Sequence, residues 1–282
     1  ATRHGSVKAE AGGETNGKDG GQSRQRCRDT SEHRLIPPTA MAPAVSITDA
    51  QLGYDGVVLF DGLSMTLEAG RLTALLGPSG IGKTSLLRLI AGLAQPSEKG
   101  QVACSDGGSL AGRVAYMAQS DLLLPWLSVV DNVALGARLR GQPADMTRAC
   151  TLLSELGLEG YEGALPQSLS VGMRQRAALA RTLMEDRPIV LMDEPFSGLD
   201  AITRARLQEL AVSTLAGRTV LLVTHDPLEA IRIAERIEVM AGRPASLGAP
   251  LTPPGRPPRD SSTPDLAALY GDLMRRLTAA GS

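Results

Sequence analysis

Aromatic residues are scarce. Two Phe, four Tyr and one Trp make up 2 % of the 282 residues. A core must therefore be assembled from Leu, Ile, Val and Ala, and an apolar fraction of 43 % leaves enough of them. An excess of charge is also missing: 29 Lys and Arg stand against 30 Asp and Glu, a formal net charge of -1. No long basic run appears, so electrostatics gives no footing for a polyanion, and no nucleic-acid partner is expected. Cysteine is limited to Cys27, Cys104 and Cys150, an odd number without a C-x-x-C pair. The expectation is three free thiols in a reducing compartment. No apolar run approaches the roughly 18–20 residues that span a bilayer. Because the N-terminus is polar throughout, no signal peptide is expected. A soluble cytoplasmic chain is expected, with any membrane attachment made through a partner.

The length suits one large α/β domain or two small ones. Residues 1–40 are rich in Gly, Ser, Thr and charge and lack periodicity, so burial cannot offset their ordering entropy. A disordered extension is expected over 1–43, with Met41 as the biological start and the preceding stretch dispensable. Alternation then begins at Val45-Ser46-Ile47-Thr48 and recurs at Leu63, Met65 and Leu67, with Gly70 closing the run. Leu72-Thr73-Ala74-Leu75-Leu76 reads as a buried strand. Leu86, Leu87, Ile90, Ala91 and Leu93 follow at helical spacing, ended by Gly92 and Pro96. The segment 121–184 is helix-rich. Ile189–Met192 and Thr219–Val223 read as two more buried strands, each ending in polar residues at the carboxyl edge where α/β sheets place their sites. A Pro-rich linker leads to a final helix that Thr263 would cap and Pro264 would open, with Leu266, Leu269, Tyr270, Leu273 and Leu277 on one stripe.

Between the first buried strand and its helix lies Gly77-Pro78-Ser79-Gly80-Ile81-Gly82-Lys83-Thr84, which fits G-x-x-x-x-G-K-[ST]. Its glycines permit backbone conformations that aim successive N–H groups at phosphate oxygens, and the helix adds its positive end. Lys83 is expected to neutralise β/γ-phosphate charge and Thr84 to ligate Mg²⁺, with Ser85 next in the helix's first turn. ATP and Mg²⁺ are the expected ligands.

Asp193 ends an apolar strand, where a direct or second-sphere Mg²⁺ ligand must sit to face that loop. Glu194 beside it could reach an attacking water as general base, or orient it. His225 follows the last buried strand. It reads either as a structural histidine or as a group that holds the water and Glu194 in register.

Leu169-Ser170-Val171-Gly172-Met173-Arg174-Gln175 places Ser170 and Gly172 at a second helix N-terminus suited to an anion. At this point the sequence resembles the ATP-binding subunits of ABC transporters, whose L-S-G-G-Q signature completes the ATP site of an opposing subunit. The resemblance covers roughly 44–242. It implies a P-loop NTPase (RecA-like) core with an N-terminal antiparallel β subdomain, a helical subdomain inserted at about 121–184, and a linker and helix over 243–282. It implies that Tyr54 stacks on adenine and that Gln119 joins Mg²⁺ and the attacking water to the membrane-domain interface. Asp193 and Glu194 resemble the Walker-B aspartate and catalytic glutamate. Asp200, in Ser197-Gly198-Leu199-Asp200, resembles the loop that couples two sites across a dimer, and His225 the switch histidine. Val171 replaces the signature's usual Gly and Met173 its Gln, which bears on turnover. The run from Gln119 to Trp126 is similar to importers of the nitrate, sulfonate and taurine group, and most similar to subunits for uptake of the thiamine precursor hydroxymethylpyrimidine.

The implied partners are a second copy of the chain, integral-membrane permease subunits and, indirectly, a periplasmic or lipid-anchored solute-binding protein. The implied location is peripheral, at the cytoplasmic face of the cell membrane. Two other classes stay open: a soluble ABC-type ATPase outside transport, and an ATP-binding module with impaired hydrolysis. The first usually carries fused cassettes or coiled-coil insertions, which this chain lacks. Glu194 and His225 weigh against the second.

Overall fold

The computed structural model describes residues 42–54, 56–95, 100–260 and 263–281. The expectations for residues 1–40, for Met41 and for Cys27 lie outside them. Ala42 and Pro43, assigned to the extension on composition, are buried. Ala42 N–H donates to the Gly217 carbonyl, and Thr219 Oγ1 donates to the Pro43 carbonyl at 2.7 Å.

Five short apolar segments build the central sheet: β3 (Leu72–Leu76), β5 (Val114–Met117), β6 (Ile189–Asp193), β7 (Thr219–Val223) and β8 (Arg236–Ala241). They pair in parallel in the order β5-β6-β7-β3-β8, and β9 (Ser246–Leu247) adds an antiparallel edge. Strands β3, β6 and β7 are buried at every residue, which explains their unbroken apolar runs. The pleat sends Ala74, Leu76, Val190, Met192, Val220 and Leu222 to one core and Leu75, Ile189, Leu191, Leu221 and Val223 to the other.

The second core is closed by α1 (Lys83–Ile90) and by a three-stranded antiparallel sheet. That sheet is ordered β2-β1-β4, from β1 (Val45–Tyr54), β2 (Val57–Leu67) and β4 (Gln101–Cys104). Phe60, one of the two Phe, fills this core beside Leu86, Leu87 and Ile90. Helix α1 stops at Ile90, and Gly92 turns left-handed, so Leu93 falls outside the expected stripe and is exposed.

Four helices lie between β5 and β6: α2 (Val129–Val133), α3 (Leu135–Leu139), α4 (Met146–Glu155) and α5 (Val171–Met184); α2, α4 and α5 pack into the first core, and α3 buries no residue. Ser128, Asp145 and Ser170 cap α2, α4 and α5 by accepting from Asp131, Arg148 and Met173 N–H groups. On the same side lie α6 (Ala201–Thr214), α7 (Pro227–Ile233) and α8 (Pro264–Gly281). In α8, Leu266 and Leu273 are buried, while Leu269, Tyr270 and Leu277 pack partly exposed against the same core. The thiols need a correction. Cys104 is free and buried, but Cys150 is disulfide-bonded.

Candidate nucleotide site

Four adjacent parallel strands deliver their polar ends to one edge of the sheet. The phosphate loop leaves β3, Gln119 follows β5, Asp193 and Glu194 end β6, and His225 follows β7. Their side chains meet because β5, β6, β7 and β3 lie side by side in the sheet and end at the same edge.

Lys83, Thr84, Ser85, Ser79, Gly80 and Gly82 line an open cleft together with Gln119, Asp193 and Glu194. Helix α1 begins at Gly82, which is left-handed at φ 111° and offers no side chain to the helix's first N–H groups. Those donors are left open for an anion, and the first turn holds no acidic residue to repel one. Gly77 is fixed by space as well. It has φ +150°, and a Cβ there would stand 2.5 Å from the Met240 carbonyl on β8. Ile81 has a different task within the loop: it is buried in the second core and anchors the turn.

Lys83 Nζ donates to the Gly77 and Pro78 carbonyls, both at 2.8 Å, and so folds across the loop. Burial holds its pKa below the ordinary lysine value, against the opposing pull of Glu194 and Asp193. Thr84 Oγ1 donates to Asp193 Oδ2 at 2.7 Å, joining the loop to β6. Asp193 is almost fully buried, and desolvation raises its pKa, helped by the Glu194 charge and opposed by the Thr84 hydrogen bond. Glu194 Oε1 lies 3.2 Å from His225 Nδ1. The Glu194 backbone is left-handed at φ 51°, a costly setting for a residue other than Gly.

The remaining candidates stand apart from the cleft. Tyr54 is half exposed at the end of β1, paired with Val57 across the hairpin. Ser170 caps α5, its hydroxyl accepting from Met173 N–H at 3.2 Å, which leaves its own proton available to donate. Gly172, one residue past exposed Val171, sits close to Leu199, whose Cδ2 would be 3.3 Å from an added Cβ. Asp200 caps α6 through Thr203 N–H. A single chain thus brings Lys83, Thr84, Gln119, Asp193, Glu194 and His225 together but keeps Ser170, Gly172 and Asp200 outside that cleft.

The apolar run after Gln119 divides. Leu123 is buried, whereas Leu122 and Trp126 are exposed, with Leu122 left-handed at φ 47°. Fully buried Asn132 fixes this loop: its amide donates to the Leu124, Leu127 and Ser128 carbonyls and accepts from Leu124 N–H. Several supporting side chains escaped the sequence reading. Arg204 on α6 donates to the Leu199 carbonyl at 2.9 Å and to Asp226 Oδ2 at 3.3 Å, joining the loop before α6 to the loop that carries His225. Gln175 on α5 donates to the Glu194 carbonyl. Its signal was a polar residue on the helix's buried stripe. Among the described residues, no helix is long and apolar enough to cross a membrane.

A parallel sheet with a glycine-rich loop running into α1, and an Asp on the neighbouring strand in contact with that loop's Thr, defines a P-loop nucleotide-binding ATPase fold. Residues 60–197 match the family model described as ABC transporter. An uncharacterized ABC transporter ATP-binding protein of Haemophilus influenzae is 41 % identical over 239 residues, covering 83 % of this chain and 98 % of the relative. An aliphatic sulfonates import ATP-binding protein, SsuB 1 of Rhodococcus jostii, is 43 % identical over 229 residues, 80 % of this chain and 89 % of that protein. Its namesake in Pseudomonas syringae is 39 % identical, covering 80 % and 93 %. Among solved structures, the dimeric post-hydrolysis state of the ATP-binding cassette MJ0796 bound to ADP and Pi superposes with a TM-score of 0.66 at 26 % identity. It covers 75 % of this chain and 99 % of that one. The chain belongs to the ABC transporter family as an ATP-binding subunit, and it is an ATPase.

Proposed function

We propose that two copies of this chain enclose two ATP molecules between them and hydrolyse them to drive import of a small organic anion of the aliphatic sulfonate class. The observation that carries the ATP chemistry is the convergence of Lys83, Thr84, Asp193, Gln119 and Glu194 on one cleft, with His225 in contact with Glu194 from beside it. The N-terminus of α5 lies outside that cleft, with Ser170 exposed and Gly172 half-buried, as a surface reserved for the nucleotide of a second copy requires. The cassette MJ0796, a structural neighbour, is itself dimeric.

In this reading, ATP occupies the loop from Gly77 to Ser85, with adenine against Tyr54. Lys83 exchanges its two carbonyl contacts for phosphate oxygens. Ser170 donates its hydroxyl proton, and Gly172 its N–H, to the γ-phosphate held by the partner. Glu194 accepts the proton of the attacking water, and His225 keeps that carboxylate aimed. Thr84, Asp193 and Gln119 would hold Mg²⁺, since their hydroxyl, carboxylate and amide oxygens are the hard donors it prefers and the first two already converge. Held there, it would supply positive charge against the phosphate oxygens. Asp200, through the turn it caps, carries the state of one site to the other. The exposed Leu122 and Trp126 beside Gln119 offer an apolar surface to membrane permease subunits, which would place the chain peripherally at the cytoplasmic face of the membrane. A solute-binding protein outside the membrane would supply the solute.

The names of the relatives in Rhodococcus and Pseudomonas support the sulfonate class. Three experiments test the proposal. Glu194→Gln with ATP and Mg²⁺ should run as a dimer on size exclusion, and Lys83→Ala should lose nucleotide affinity. A Glu194→Gln protein that stays monomeric removes the sandwich. Deleting the gene should abolish growth on ethanesulfonate as sole sulfur source. Loss of growth on hydroxymethylpyrimidine in thiamine-free medium instead would reassign the solute.

A further inference from the structure

The backbone of Glu194 is held on both sides. Its N–H donates to the Val223 carbonyl on β7 at 2.9 Å. Its carbonyl accepts from Ser197 N–H at 3.2 Å, from Ser197 Oγ at 3.0 Å, and from Gln175 Nε2 at 3.2 Å. The first two donors lie three residues along the same turn. Gln175 comes from a different element, α5, five residues beyond its Ser170 cap, and its side chain is buried. A left-handed φ of 51° persists at a non-glycine residue only when its surroundings over-determine it. Rotation of that peptide would swing the carboxylate attached to the same Cα, away from His225 and out of the cleft.

We infer that Gln175 is a positioning residue for hydrolysis: its amide fixes the Glu194 carbonyl and so ties the aim of the Glu194 carboxylate to the placement of α5. Under the sandwich reading, on which this rests, the same helix carries Ser170 and Gly172 toward the partner's nucleotide. One rigid helix then touches the nucleotide of one site and the water-activating glutamate of the other. The coupling runs through a single side-chain amide, over 19 residues of chain separation. Gln175 touches neither nucleotide nor water, so its removal acts on kcat rather than on ATP binding.

Three variants test this. Gln175→Met keeps the length and volume without a donor. It should lower kcat at least tenfold, leave the ATP KM within twofold, and leave the ATP-induced dimer intact when combined with Glu194→Gln. Gln175→Glu presents a carboxylate to a carbonyl at high pH but an O–H donor once protonated. Its kcat relative to the parent should therefore rise at least threefold between pH 8.5 and 6. Gln175→Ala should match Gln175→Met in kcat despite a lower Tm. A Gln175→Met enzyme with kcat within twofold of the parent overturns the inference. So does a Gln175→Glu ratio that does not change with pH, or a loss of kcat that tracks Tm across the three variants. Failure of Glu194→Gln alone to dimerise would remove the sandwich reading while leaving these kcat outcomes to decide the role of Gln175.

Discussion

Glu194 and His225 are brought to 3.2 Å from the ends of two paired parallel strands, β6 and β7, and the two partners differ in their surroundings. The carboxylate is 20 % exposed and the imidazole 66 %. A carboxylate set into the cleft is oriented by the protein, whereas an exposed imidazole is free to answer to a ligand. With Nδ1 given to Glu194, Nε2 is left for the nucleotide side. Replacing His225 by Ala should lower kcat by about 10²-fold or more, in the range of general acid–base groups, with ATP affinity nearly unchanged. Steady-state phosphate release and nucleotide titration check the two halves separately. Loss of affinity in parallel with kcat would mean that His225 binds rather than positions.

Backbone strain at Glu194 predicts a trade between stability and activity. A left-handed residue other than Gly costs about 1–2 kcal/mol. Glu194→Gly should therefore fold with a midpoint equal to or above that of the parent, since relief of strain offsets the added freedom of the unfolded chain. Hydrolysis should be lost. Glu194→Val, whose β-branched side chain resists φ 51°, should lose about 1–2 kcal/mol instead. Urea titrations of the three proteins give the order directly.

The contiguous parts of the site were legible because their chemistry is local. Gly77 to Thr84 declares itself in eight residues, and Asp193-Glu194 closes a strand whose burial on both faces shows as an apolar run. The parallel strands were legible for the same reason. What escaped depends on contacts far apart in sequence. The Gln175–Glu194 contact and the burial of Pro43 beneath Thr219 leave no periodic trace. The Leu122-Leu123-Leu124 run could not be divided into inward and outward residues without φ 47° at Leu122, since neither helical nor strand period governs a loop. Ser170 carried a second meaning as a helix cap, and a cap and a phosphate contact both favour a hydroxyl; Asp200, read as part of a coupling loop, is likewise a helix cap.

Val171 stands where the family signature has Gly, and it is 67 % exposed at the first position of α5. In the proposed dimer, an isopropyl group there would keep a second copy from approaching the Ser170 and Gly172 donors as closely as a bare backbone would. Val171→Gly should raise kcat by about two- to fivefold, with a longer-lived ATP dimer in the Glu194→Gln background, equivalent to about 0.5–1 kcal/mol of closer contact. The expected cost is a few tenths of a kcal/mol in α5, since Gly is a poor helix former but tolerable at a first turn. Dilution series of ATPase rate measure the dimerisation directly. An unchanged midpoint in that series would show that Val171 does not face a partner.

Glu229 on α7 gives the fold a dependence on pH that the nucleotide does not set. It is buried, and desolvation raises its pKa to about 7, with the Asp226 charge adding to the shift and hydrogen bonds from Thr224 and Gln208 opposing it. One carboxyl oxygen, Oε1, has no hydrogen-bond partner. A carboxyl group whose pKa is higher in the folded than in the unfolded protein binds more protons when folded. Stability therefore falls as pH rises from the unfolded value of 4.5 through 7, and the full penalty stands above 7. Between pH 5 and 8 this single group should remove about 2–3 kcal/mol. Glu229→Gln keeps the shape and an acceptor for Thr224 while removing the charge. The variant should match the parent to within about 1 kcal/mol at pH 5 and exceed it by about 2–3 kcal/mol at pH 8. Taking the difference between variant and parent at each pH cancels every other titrating group. Equal gains at both values would show that Glu229 is already ionised at pH 5, its charge compensated by Arg204.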